Sequence, residues 1–84
     1  MYKNRMADGN NRCGKNIAAL RKSYRPSLSQ RALADKMQLQ GLDLDKNAIQ
    51  RIEAGKRFVT DIELYAFAAF FGVSTDELLT PTQA

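Results

Sequence analysis

Helix-capping residues recur at nearly even intervals along this chain and constrain its fold more than any other feature. Four residues stand just before segments of helical periodicity and can accept a hydrogen bond from a first-turn amide: Ser29, Asp45, Thr60 and Ser74. Glutamates follow the last two caps after three positions, at Glu63 and Glu77, and complete capping boxes. Together with an earlier helix that starts near Cys13, this pattern predicts five short helices.

Residues that stop helices lie between these caps. Pro26 disfavours a helical conformation at the residue before it and should end helix 1. Gly41 and Gly55 can take the left-handed conformation that closes a helix, so they should end helices 2 and 3. We therefore expect the last three helices at about 46–54, 61–71 and 75–79.

No segment alternates apolar and polar residues in the way a strand does, so the sequence predicts an all-α fold. A chain of 84 residues is long enough for one domain and too short for two. The predicted organisation is a flexible basic arm over residues 1–11, a helical domain over residues 12–80 and a tail over residues 81–84.

The chain has no histidine and a single cysteine, which excludes several kinds of functional site. Serine–histidine and cysteine–histidine nucleophile pairs are impossible, and a structural zinc site lacks ligands. We predict no enzymatic activity, no metal and no cofactor, and no small-molecule ligand is evident from the sequence. The sequence lacks an apolar run of the ~20 residues that span a bilayer and lacks the apolar stretch of a secretory signal. We expect a cytoplasmic protein with no membrane partner.

Positive charge is confined to the first two thirds of the chain. Residues 1–57 contain all 13 basic residues and five acidic ones, a balance of +8. Residues 58–84 contain four acidic residues and no basic one, a balance of −4. Such a distribution suits a domain with one end against a polyanion, although lopsided charge is also common in small soluble domains. Charge alone does not decide between these interpretations.

Five short motifs follow one another at the ends of the predicted helices. They are GxxIxxLR at 14–21, LSQxxLA at 28–34, IxxIExGKR at 49–57, LxxFAxxFGVS at 64–74 and ELL at 77–79. In this order they resemble the phage-repressor-like (Cro/repressor, or XRE) helix-turn-helix family. The resemblance implies a five-helix, repressor-like domain in which helix 2 crosses the DNA backbone and helix 3 enters the major groove.

The resemblance also implies which side chains meet DNA. Outward residues of helix 3 would read base edges, with arginine or lysine on guanine and asparagine or glutamine on adenine: Lys46, Asn47, Gln50 and Arg51. Residues at the start of helix 2 and in the loop after helix 3 would contact phosphates: Ser29, Gln30, Lys56 and Arg57.

The connection between helices 2 and 3 is about five residues longer than the usual turn. We interpret Gln38–Gln40 as an extra turn of helix 2, with Leu42 and Leu44 packing the connector onto the core. The insertion affects the angle of helix 3, which leaves open whether Gln50 or Arg51 reads a base.

Two charged residues fall at inward-facing positions. Arg21 shares its helix face with Ile17 and Leu20, and Glu53 follows Ile52. A charge on an apolar face needs a partner. Because the family pattern couples these two positions, we predict a structural ion pair between Arg21 and Glu53.

Helix 4 is apolar on two opposite faces. One matches the core positions of the family and consists of Leu64, Phe67, Ala68 and Phe71. The other consists of Ile62, Tyr65, Ala66, Ala69 and Phe70. We predict that this second face, together with helix 5 and the Leu79–Ala84 tail, forms a two-fold homodimer, which would set two copies of helix 3 about 34 Å apart and favour a palindromic operator. The alternative cover is the N-terminal arm, through Tyr2 and Met6.

These observations predict a sequence-specific regulator of transcription, most simply a repressor, that binds double-stranded DNA. The alternative is a protein-interaction module, such as an adaptor or an antitoxin-like partner that retains the fold. The helix 3 face favours DNA, because a module that no longer binds DNA has no need for four non-acidic side chains beside a basic loop. An enzyme is the weakest alternative, since so small a domain hardly forms a cleft.

Overall fold

A computed structural model of the chain describes residues 9–80, so most of the predicted arm and the predicted tail lie outside the described residues. The described range contains five helices: α1 (Gly14–Ser23), α2 (Gln30–Leu39), α3 (Lys46–Glu53), α4 (Asp61–Phe71) and α5 (Thr75–Leu79). No strand occurs between residues 9 and 80, and the prediction of an all-α, five-helix fold is confirmed. The last two helices have the predicted bounds, and α3 ends one residue earlier than predicted.

The capping residues begin the helices as the sequence predicts. The Ser29 hydroxyl accepts from the Ala32 amide at 3.0 Å, and Asp45 Oδ1 accepts from the Ala48 amide at 2.8 Å. Capping boxes open both α4 and α5. Each cap satisfies an amide that the helix itself leaves unpaired, so local sequence determines where these four helices begin.

One apolar core lies between the helices, and all five contribute to it. Its fully buried side chains include Ile17 of α1, Leu33 and Met37 of α2, Ile49 and Ile52 of α3, Phe67 of α4 and Leu78 of α5. The second helix packs mainly on α3, and α1 contacts both α3 and α5. The core therefore fixes the orientation of α3, on which the predicted base readers lie.

The long connection between α2 and α3 packs as part of the domain. The helix extends to Leu39, in agreement with an extra turn. Gly41 then turns the chain with a φ of 89°. Leu44 is fully buried, Leu42 is partly buried against the core, and Gln38 Nε2 donates to the Leu44 carbonyl at 2.8 Å. The inserted residues do not form a projecting loop.

The last residues of the predicted arm are part of the folded domain. Asn10 and Asn11 donate to carbonyls of α3 and of the loop after it, and Gly9 lies against Gly55. The sequence places these residues in a flexible arm because a polar stretch with a glycine is typical of one. Amide side chains pair with whichever carbonyls the fold brings near, and helical periodicity does not reveal those partners.

Candidate nucleic-acid interface

The third helix separates its buried residues from its exposed ones. Ile49 and Ile52 have no exposed surface. The four predicted base readers are all exposed: Lys46, Asn47, Gln50 and Arg51. Spacings of one, three and four positions put these four on one face of the helix. Within residues 9–80 none of their side chains makes a hydrogen bond or an ion pair, so the face is available to a partner.

A shallow depression lies along this face. It is lined by Asp45, Asn47, Ala48 and Arg51 of the α3 region and by Arg57 of the following loop. The Asp45 carboxylate is engaged as the cap of α3. The depression is therefore rich in hydrogen-bond donors, of which those of Asn47 and Arg51 are unpaired within residues 9–80, whereas the Arg57 guanidinium is paired with Glu63.

The carboxylate of Glu53, at the end of α3, joins three helices. Arg21 of α1 donates to it twice, from Nε to Oε2 at 2.7 Å and from Nη2 to Oε1 at 3.0 Å. Gln30 of α2 donates from Nε2 to Oε1 at 3.0 Å. The hydrogen bond with Glu53 raises the pKa of Arg21 above its ordinary value, and burial opposes this change only in part. The ion pair that the sequence predicts is present and ties the end of α3 to α1 and α2.

The two predicted phosphate ligands at the start of α2, the N-cap Ser29 and Gln30, already have partners in the chain. The Ser29 hydroxyl accepts from the Ala32 amide, and the Gln30 amide nitrogen donates to Glu53. A hydroxyl that accepts keeps its own hydrogen, and an amide nitrogen carries two hydrogens, so each side chain retains one donor. The contact between Gln30 and Glu53 also places the start of α2 directly beside the end of α3.

These elements have the arrangement of a helix-turn-helix unit, in which α2 is locked against a following helix with an exposed polar face. The chain matches the helix-turn-helix family over residues 17–78, from the buried Ile17 of α1 to the buried Leu78 of α5. The chain belongs to the Cro/repressor-like (XRE) helix-turn-helix family. This is a family of DNA-binding domains, which makes a DNA-binding regulator the function that the match suggests. No curated protein and no solved structure gives a significant match to the chain.

Three further observations on this helix-turn-helix domain concern membrane spanning, metal binding and its single cysteine. No helix within residues 9–80 has both the length and the apolar composition needed to cross a membrane. The same residues include no group of three or more acidic, histidine or cysteine side chains placed to hold a metal ion. Burial raises the pKa of Cys13 to about 11, so its thiol is protonated at neutral pH.

The loop after α3 places its two basic residues in different surroundings. Lys56 is exposed. Arg57 is half-buried and donates to the Glu63 carboxylate of α4 at 3.0 and 3.2 Å. The same carboxylate accepts from the Thr60 amide at 3.0 Å in the capping box. Burial by itself would raise the pKa of Glu63, but the hydrogen bonds from Arg57 and Thr60 outweigh it and lower that pKa.

Sequence reasoning missed the pair between Arg57 and Glu63. It assigned the glutamate to the capping box and the arginine to DNA phosphates, each by a separate pattern. The signal that could have found the pair is the short distance in sequence between Arg57 and Glu63. The acid of a capping box lies in the first turn of its helix and is therefore close to the loop that precedes the helix. Lys56 is the residue of this loop whose charge the described part of the chain leaves unpaired.

The second apolar face of α4 is partly exposed. Ile62 and Tyr65 are 69% and 72% exposed, and Ala69 is exposed as well. Ala66 and Phe70, which the sequence places on the same face, are half-buried. Three members of the predicted dimer face are therefore open to a partner.

Phe70 packs within the domain. Its ring stacks on Tyr24 with ring centroids 5.3 Å apart and meets Phe71 edge-on at 5.0 Å. The sequence places Phe70 among the interface residues because helical periodicity locates its face but not the residues that cover it. The cover comes from Tyr24, the residue that follows α1.

Proposed function

We propose that this protein is a transcriptional repressor that binds double-stranded DNA sequence-specifically and reads it with α3 in the major groove. The observation that carries the proposal is the outward face of α3, whose four side chains are exposed and have no partner within residues 9–80. All four are residue types that form specific hydrogen bonds with base edges in the major groove. The two acids at the ends of this helix, Asp45 and Glu53, are occupied inside the domain.

The way α3 is held supports base reading, since hydrogen bonds to base edges require a fixed helix orientation. Ile49 and Ile52 seat one side of the helix in the core, and Glu53 holds its end. Asn47 and Arg51, one turn apart, line the same donor-rich depression. We therefore assign the principal base contacts to Asn47 and Arg51, and we place Lys46 and Gln50 at the margins of the site.

Phosphate contacts would flank the site read by α3. Lys56 is exposed in the loop after α3 and would contact the backbone as a point charge. Ser29 and Gln30 would each use the donor that their internal hydrogen bonds leave, beside the positive end of the α2 dipole. Arg57 would contribute less, because its charge is already paired with Glu63.

A two-fold homodimer through α4 would give this domain enough DNA contact for specific binding. Ile62 and Tyr65 are large apolar side chains exposed on one helix, and Ala69 continues their face. The chain from residue 58 onward carries only negative charge, so this end is unsuited to DNA and suited to another protein. Two copies of α3 about 34 Å apart would read a palindromic operator.

Binding to random-sequence duplex DNA at several salt concentrations tests the proposal. We expect the logarithm of affinity to fall linearly with the logarithm of salt concentration, with a slope of about −0.9 for each phosphate contacted. Lys56→Ala should reduce the slope by about one. Lys15→Ala is the matched control, because it also removes one exposed lysine charge. Lys15 lies on α1, one turn before Ala19, and Ala19 borders a depression on the side of the domain that carries Glu77 of α5. Absence of salt-dependent binding would contradict the proposal and favour the protein-interaction module.

A further inference from the structure

Three successive carbonyls of the loop after α3 accept hydrogen bonds from the residues just before α1. The Asn10 amide donates to the Gly55 carbonyl at 2.8 Å, and Asn10 Nδ2 donates to the Lys56 carbonyl at 3.1 Å. Asn11 Nδ2 donates to the Arg57 carbonyl at 2.8 Å. We call Asn10 and Asn11 the clamp, and the three residues from Gly55 to Arg57 the basic loop. The clamp thus binds every backbone carbonyl of the basic loop.

The clamp is itself anchored to two helices. Asn11 Nδ2 also donates to the Ile52 carbonyl in the last turn of α3 at 3.1 Å, and Asn11 Oδ1 accepts from the Gly14 amide at the start of α1 at 2.8 Å. A Cβ on Gly14 would collide with the Ile52 carbonyl oxygen, so a glycine at this position lets α1 begin against the end of α3. One asparagine side chain therefore connects the basic loop with both α1 and α3.

Polar contacts hold the basic loop in place. None of its three residues is buried, so the apolar core does not seat it directly. The Gly55 and Lys56 amides donate to carbonyls of α3 at 3.0 and 2.9 Å, and the Arg57 side chain pairs with Glu63. The clamp supplies the hydrogen bonds that the loop carbonyls accept, and these bonds fix the other side of the loop backbone.

The position of Lys56 matters for the proposed function. Its side chain is exposed, whereas its backbone is held on both sides, by α3 at the amide and by Asn10 at the carbonyl. This arrangement ties a phosphate-binding charge to the helix that carries Asn47 and Arg51, the assigned base readers. A group that is held in place before binding loses less conformational freedom on binding, which favours affinity.

We propose that the clamp is a positioning device for DNA binding, in which Asn10 and Asn11 hold the basic loop so that Lys56 meets a phosphate in register with the bases read by α3. This inference rests on the proposed function, because Lys56 would act on the same DNA. Asn10 acts through Lys56, Asn11 acts through the loop and α1 together, and neither touches DNA. The clamp precedes residues 17–78, so the segment that matches the family does not include it.

A double-mutant cycle between Asn10 and Lys56 tests the inference, with the affinity of the full chain for one random-sequence duplex at fixed salt as the readout. Asn10→Ala keeps the backbone hydrogen bond to Gly55 and loses only the side-chain bond, so the domain should stay folded. It should weaken binding about three- to tenfold, the range that one hydrogen bond is worth, and by no more than Lys56→Ala does. With Lys56→Ala in place, adding Asn10→Ala should have almost no further effect, because the charge that it positions is gone. Asn11→Ala should weaken binding at least as much as Asn10→Ala.

Asn16→Ala is the matched control for a loss of stability alone. Asn16 Nδ2 donates to the carbonyls of Glu77, Leu78 and Thr80 at 3.3, 2.8 and 2.7 Å, so this asparagine also joins α1 to backbone carbonyls, but at α5. Measured well below its thermal midpoint, Asn16→Ala should bind DNA as wild type does. It should nevertheless lower the midpoint at least as far as Asn10→Ala.

The outcomes separate this inference from the proposed function. If wild type binds DNA and Asn10→Ala reduces affinity by the same factor with and without Lys56, the clamp does not act through Lys56 and the inference is overturned while DNA binding stands. Wild-type affinity of Asn10→Ala overturns it as well. An equal loss of affinity in Asn16→Ala also overturns it, because the effect would then be one of stability. If wild type itself shows no salt-dependent binding, the proposed function fails and the inference fails with it.

Discussion

Replacing Glu53 with alanine should be among the most damaging single changes to this domain. The Glu53 side chain is 8% exposed and that of Arg21 is 12% exposed, so the variant leaves a nearly buried guanidinium group without its charged partner and with the Leu28 carbonyl as its remaining acceptor. Gln30 loses its acceptor as well. Removing one partner of a buried pair costs about 3–5 kcal/mol, and we expect about 3 kcal/mol because both side chains keep some contact with water. Domains of this size unfold with about 4–13 kcal/mol.

Urea and thermal unfolding followed by circular dichroism provide the assay. At about 4–8 °C per kcal/mol, Glu53→Ala should lower the thermal midpoint by at least about 12 °C. The double variant Arg21→Met/Glu53→Leu should recover most of this loss, because it leaves no unpaired charge. A cost for Glu53→Ala below about 1 kcal/mol, as for an exposed pair, would refute the reasoning. A double variant no more stable than Glu53→Ala would refute it equally.

Three further predictions concern stability, association and reactivity. In the folded state the pKa of Glu63 lies below its ordinary value of 4.5. As pH falls, the Glu63 carboxylate is therefore protonated in the unfolded chain before it is protonated in the folded domain, and the free energy of unfolding decreases. Glu63→Gln, which weakens the pairing with Arg57, should therefore flatten the decline of the thermal midpoint between about pH 5 and pH 3, and an unchanged decline would contradict this. If the proposed dimer forms through α4, Tyr65→Glu should make the protein sediment as a monomer with its helices intact, and a dimer that survives this change places the interface elsewhere. Phe70→Glu should instead lower the thermal midpoint, because it breaks the ring stack with Tyr24. Because burial raises the pKa of Cys13 to about 11, the native thiol should react with an alkylating reagent at pH 8 only as fast as the domain opens, and rapid labelling of the native protein would show that the thiol is accessible.

The helices were predictable from sequence because their boundaries depend on neighbours in the chain. A cap such as Ser29 and the amide it binds are three residues apart, and the capping box at Thr60 is equally local. The inward positions Ile49 and Ile52 follow from helical periodicity. The pairing of Arg21 with Glu53 spans 32 residues, and the family pattern supplied it where periodicity could not.

The contacts that sequence analysis missed join residues that no local pattern relates. Asn11 binds carbonyls 41 and 46 residues away, and a carbonyl carries no residue-specific signal. Phe70 is covered by Tyr24, whose position depends on how the chain leaves α1. Arg57 was predicted to bind phosphate because arginine is a common phosphate ligand. Its pairing with Glu63 depends on the path of the loop that precedes α4. In each case the tertiary fold selects among several partners that the side chain would accept.

Selection of bound sites from random duplexes, repeated with Asn47→Ala and with Arg51→Ala, tests the central claim most directly. The account predicts that wild type selects a palindrome and that each variant loses preference at its own symmetric pair of positions, by about 1–3 kcal/mol per base contact. Affinity for random DNA should change far less, since phosphate contacts remain. If both variants select the wild-type site with wild-type affinity, α3 is not the helix that reads DNA.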